Sequence, residues 1–206
     1  MTRIRKSCVV AAAAVSTWLL VHQTVHAQLP PLPIRIRAFA VNMTNVATGA
    51  NGILEILIDK WSTSAERQDL IKTMLEKGQD ELLKRLQKVP VKGRIRLPNW
   101  QGPDPNNYRL GWDLRYALHE TLPDNGGDRI LIATDRYMSF WELRNQPRTV
   151  DYPFTFLEIH FPKEGKGEGR MALANQIRFD KKKNVIELEQ YSAGDIRLSE
   201  ITAEKK

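Results

Sequence analysis

The chain has 206 residues, with 31 Lys and Arg against 24 Asp and Glu and a single cysteine. Three of those cations and none of the acids lie in residues 1–27, which leaves 28 against 24 in the remainder, too small an imbalance to argue for nucleic-acid binding. Cys8 is the one thiol, so residues 28–206 cannot be stapled by a disulfide and must be held by a core, which a chain of this length can supply by burying roughly 70% of its unfolded surface.

Residues 1–27 read as a secretory signal peptide. Arg3, Arg5 and Lys6 form the basic start, residues 8–21 the apolar run, and Ala27 the small residue at the cleavage point. The run is shorter than the roughly 20 residues of a bilayer-spanning helix. A periplasmic or secreted protein is expected, cleaved near Ala27 and without a transmembrane segment in its mature part. Residues 28–33, Gln-Leu-Pro-Pro-Leu-Pro, predict an extended leader, because proline removes backbone donors and fixes φ.

A single domain is expected over residues 34–201, followed by a charged tail at 202–206. Strands are predicted at 34–42 and 53–61, the second with Leu54, Ile56 and Ile58 on one face. Thr63 and Glu66 have the spacing of a capping box, so a helix starts there, and Gly78 divides the following apolar stripe into two short helices. Residues 91–97 predict a further strand. The clearest alternation runs over residues 108–119, which places Trp112, Leu114, Tyr116 and Leu118 on one face and Arg109, Asp113, Arg115 and His119 on the other. Residues 130–133 are apolar on both faces, as in a strand covered on both sides. Segments 137–143, 154–161, 171–179, 185–191 and 196–201 continue the strand pattern, with Lys181-Lys182-Lys183-Asn184 as a hairpin turn. The fold class that follows is α+β: a mostly antiparallel sheet, as a curved sheet or partial barrel wrapped around a helical pair inserted between early strands.

Chemistry is sparse. Beyond the signal segment only His119 and His160 remain, without the spacing of a metal site, and no metal or other cofactor is expected. The serines lie in no Gly-x-Ser-x-Gly elbow, and Gly165-Lys166-Gly167-Glu168-Gly169 lacks the ending of a phosphate loop. In 154–161, Leu157, Ile159 and Phe161 share one face and leave Glu158 and His160 on the other. Arg115, Glu158 and His160 are therefore the candidate binding residues, and no catalytic residue is assigned. Trp100, in a loop of Pro, Gly and Asn, is a sugar-stacking candidate set against a core-capping role. The function expected is a non-enzymatic exported binding or envelope-associated domain, whose partner is a small molecule, glycan or envelope protein and not a nucleic acid. The competing expectation is a hydrolase acting on a glycan, with Glu158 and Asp113 as acid and base.

Overall fold

The computed structural model describes residues 29–43, 48–98, 111–123, 127–136, 138, 154–164, 166–174, 177–180, 185–188 and 196–206. Buried aliphatic residues at alternate positions, Ile34 and Ile36 in β1 (Ile34–Asn42) and Leu54, Ile56 and Ile58 in β2 (Asn51–Ile58), build the first two strands. Helices α1 (Ser64–Lys77) and α2 (Gln79–Gln87) follow, then β3 (Gly93–Arg96), β4 (Trp112–Thr121), β5 (Asp128–Thr134), β6 (Phe154–Phe161), β7 (Gly167–Ala174), β8 (Ile177–Asp180), β9 (Val185–Leu188) and β10 (Ile196–Lys205). Eight strands close into an antiparallel barrel in the order β1-β2-β3-β4-β5-β6-β7-β10, and β8 and β9 pair with each other as a separate hairpin.

The sheet therefore curves all the way to closure. The seam is β1 against β10, paired from Ile34 opposite Lys205 to Asn42 opposite Ile196 with a register shift between Arg37 and Phe39, and the Lys206 amide donates to the Pro33 carbonyl at 2.9 Å. Strand β10 thus runs through most of the segment expected as a charged tail. The segment expected as one strand at 171–179 is divided between β7 and β8, and Trp61 lies beyond the end of β2. The strand expected at 137–143 lies outside the described residues except for Met138, which is in no strand.

Inward positions build the core. Ile34, Ile36, Leu54, Ile56, Ile58, Ile95, Leu114, Ile130, Ile132 and Leu157 are buried in one cluster, each contributing roughly 1.5–3 kcal/mol relative to exposure. Leu29, Leu32 and Trp61 pack on this cluster from the end where β1 begins. At the other end Met138 is buried, its amide donating to the Thr155 hydroxyl at 3.0 Å. Gly93 is required where β3 starts, because a Cβ there would run into the Leu57 carbonyl.

The helices lie outside the barrel and not in its concavity. Leu70, Leu82, Leu86 and Val89 pack on Phe154, Phe156 and Tyr116, which are on the opposite face of their strands from Leu157 and Leu114. The capping box forms as its spacing predicts: the Thr63 Oγ1 accepts from the Glu66 amide at 3.2 Å, and the Thr63 amide donates to Glu66 Oε2 at 2.8 Å. Gly78 separates the helices at φ +80° and ψ −173°, a conformation that L side chains rarely adopt. The helical layer explains the doubly apolar β5: Ile130 and Ile132 face the barrel core, while Ala133 stands opposite Phe156 on the outer face.

Candidate functional site

The barrel interior is occupied by its own apolar side chains, and among the described residues the polarity of the outside follows from strand alternation. Among the described residues the inward positions are mainly apolar, while the outer face carries the ion pairs and, under the helices, a second apolar cluster. The outside divides into the helix-covered sector, an ion network over β5 to β7, and an open wall over β10, β1, β2 and β3.

Arg115 belongs beneath the helical sector. The β4–β5 pairing shifts between Leu114 and Tyr116, so Arg115 is the extra residue of a β-bulge. Its guanidinium spans three acceptors: Asp135 Oδ2 at 3.1 Å, Asp113 Oδ2 at 3.6 Å, and the Val89 carbonyl beyond α2 at 3.2 Å. It therefore braces the end of the helical pair against the ends of β4 and β5.

Glu158 and His160 do lie together on the outer face of β6. Glu158 accepts from Arg129 at 2.8 Å and Arg170 at 3.2 Å, and its Oε1 is 3.1 Å from His160 Nε2. Burial pushes the Glu158 carboxyl up, but the charge of Arg129 and the hydrogen bonds from Arg170 and His160 outweigh it and hold the group below its usual value. An anion so held is a poor proton donor. Asp113, its partner in the hydrolase reading, is paired with Arg94 at 3.6 Å and with Arg115, so the two acids belong to separate networks.

His119 is not on the outer polar face that simple alternation gives it. Beyond the bulge the odd-numbered residues of β4 turn inward, and His119 Nε2 meets Asp128 Oδ1 at 2.6 Å, with the Trp61 ring 5.5 Å away. Trp100 lies outside the described residues, as does the turn at Lys181-Lys182-Lys183-Asn184. Among the described residues no three His, Cys, Asp or Glu side chains cluster as metal ligands do.

The open wall holds the cluster that attention to single residues misses. Glu55, 3% exposed, stands opposite Arg37 on β1 and Arg96 on β3. Arg37 Nε lies 3.5 Å and Arg35 Nε 3.7 Å from Glu55 Oε2, while Arg96 hydrogen-bonds Oε1. Arg35 also reaches Glu204 at 3.2 Å. Three guanidiniums thus share one carboxylate, and Arg37 and Arg96 keep much of their surface in solvent. Arg94, also exposed, continues the row. On β10, Arg197 stands opposite Val41 on one side and Arg170 on the other. The signal was present in the sequence as two matching alternations, Ile34-Arg35-Ile36-Arg37 and Gly93-Arg94-Ile95-Arg96, each placing Ile inward and Arg outward.

Neither a family model, nor a curated protein, nor a solved structure matches the chain.

Proposed function

We propose that this is an exported, non-enzymatic binding protein of the cell envelope, which recognises its partner through the open wall of the barrel. The observation that carries the reading is the arginine triad on Glu55: even with Glu204 beside Arg35, two carboxylates meet three guanidiniums, so the wall retains positive charge at fixed positions on its strands. Arg115 serves as a brace in this reading, and Glu158 and His160 form the border of the wall beyond β7. The hydrolase alternative lacks support from the separate networks of Asp113 and Glu158. A small molecule, glycan or envelope protein remains the partner class, with export directed by residues 1–27.

The test is retention. The full chain is expressed in an envelope-bearing host and the washed envelope fraction is assayed for the wild type and for Arg37→Gln/Arg96→Gln. Loss of the variant into the soluble wash, with its unfolding midpoint close to that of the wild type, supports the reading. Equal retention of both, or glycan hydrolysis that disappears in Glu158→Gln, overturns it.

A further inference from the structure

Strand β1 carries more than arginine on its outward side. After Arg35 and Arg37, the same face continues with Phe39 and Val41, and Met43 follows just beyond the strand; Phe39 is 37% and Met43 55% exposed. Ile53 stands opposite Phe39 on β2, and Arg197 opposite Val41 on β10. Alternate residues on a strand are about 7 Å apart, so an apolar strip borders directly on the row Arg37, Glu55, Arg96 and is flanked by Arg197. Arg197, exposed on β10, stands opposite Arg170, whose guanidinium is paired with Glu158.

We infer that this wall docks on the surface of an anionic phospholipid bilayer, Phe39 and Met43 entering the headgroup boundary while Arg37, Arg96 and Arg197 meet lipid phosphates. The inference rests on the binding reading above and names its partner class. Charge complementarity selects an anionic partner, and the apolar strip selects a lipid surface over an acidic polymer, since Phe39 and Met43 gain nothing from a polar chain but are stabilised in the boundary between headgroups and acyl tails. Because the outside of the barrel is charged elsewhere, the protein lies on the membrane and does not span it.

The experiment is sedimentation of residues 28–206 with vesicles of phosphatidylglycerol and phosphatidylcholine, of phosphatidylcholine alone, and with a soluble acidic polysaccharide as competitor. Binding to the anionic and not to the neutral vesicles is expected, weakened about fivefold by each of Arg37→Gln and Arg197→Gln and abolished by 0.5 M salt, which shortens the screening length to roughly 4 Å. Phe39→Ser weakens binding to vesicles and leaves binding to the polysaccharide unchanged. Circular dichroism and the unfolding midpoint of each variant show that it is folded. Failure to bind anionic vesicles, equal binding to neutral ones, or indifference to Phe39→Ser overturns the inference. If the vesicles fail while Arg37→Gln/Arg96→Gln still loses envelope retention, the lipid assignment falls and the binding wall stands; if both fail, the wall itself is not the site.

Discussion

Leu114 and Ala117, three residues apart on one strand, both face the barrel interior and are both fully buried. A regular strand would put them on opposite faces, and the bulge at Arg115 brings them to the same one. Ala117 stands opposite Ile132 and is fully buried in the core cluster. Ala117→Leu is expected to cost about 1–3 kcal/mol by overpacking, read from the denaturant midpoint. A regular strand without the bulge puts Ala117 outward and predicts a change within about 0.5 kcal/mol.

That bulge marks the limit of what the sequence revealed. Over β1 and β6 the expected bounds coincide with the observed ones, because Ile34 and Ile36, and Leu157 and Ile159, recur at alternate positions of each strand. Over β4 the apolar alternation of Trp112, Leu114, Tyr116 and Leu118 is equally regular, yet two different surfaces satisfy it: Leu114 meets the barrel core and Tyr116 meets the helices. Hydrophobic pattern reports burial without saying against what. Closure was hidden for a related reason, since nothing in β1 or β10 alone specifies their pairing across the whole chain. Glu158 and His160 were placed together by alternation, but the charges that meet Glu158 come from β5 and β7, which only the register supplies.

The helix boundary was legible because its signals are local. Thr63→Ala is expected to cost about 1 kcal/mol through loss of the bond from the Glu66 amide to the Thr63 hydroxyl, while the backbone amide at 63 still donates to Glu66. Gly78→Ala meets no neighbouring atom, so its effect isolates the backbone: at φ +80° it should destabilise by roughly 1–3 kcal/mol. A stabilising Gly78→Ala would require one continuous helix. Thermal unfolding of the two variants decides both points.

Glu66 joins the cap to the barrel. Its carboxylate takes 2.6 and 2.7 Å hydrogen bonds from Lys92, whose side chain is 3% exposed. Burial pushes the Glu66 carboxyl up, but Lys92 and the Thr63 amide together hold it below its usual value. Glu66→Ala strands a buried ammonium and should cost about 2 kcal/mol, less than the roughly 3–5 kcal/mol of a fully buried pair because Glu66 is itself partly exposed. Adding Lys92→Met should restore most of the loss. A double variant as unstable as the sum of the singles would show that the pair is not coupled.

Two outward-facing groups, Glu158 on β6 and Tyr116 on β4, set opposite pH responses. Glu158, lowered in the folded state, contributes stability that is present above its unfolded value near 4.5 and lost as pH falls through the folded value. The stability gap between wild type and Glu158→Gln should therefore close on acidification. Tyr116, pushed up to about 12 by burial under the helices, acts in the other direction: its contribution is present below its unfolded value near 10 and is lost as pH rises towards 12. Phenolate absorbance should show this tyrosine titrating late, and Tyr116→Phe should flatten the alkaline arm of the stability curve. Titration of every tyrosine near pH 10 in the native protein would contradict the placement.

The β1–β10 seam has a consequence for how the chain is made. Ile34 and Lys205 meet only after nearly all of the intervening polypeptide has been synthesised, so the final pairing event has the longest sequence separation in the molecule and belongs to the slow end of folding topologies. Until it occurs, the nascent sheet has two raw borders whose amides and carbonyls are open to any neighbouring chain. Once it occurs there is no border left, and a surface suited to self-association during biogenesis becomes a continuous wall in the finished protein.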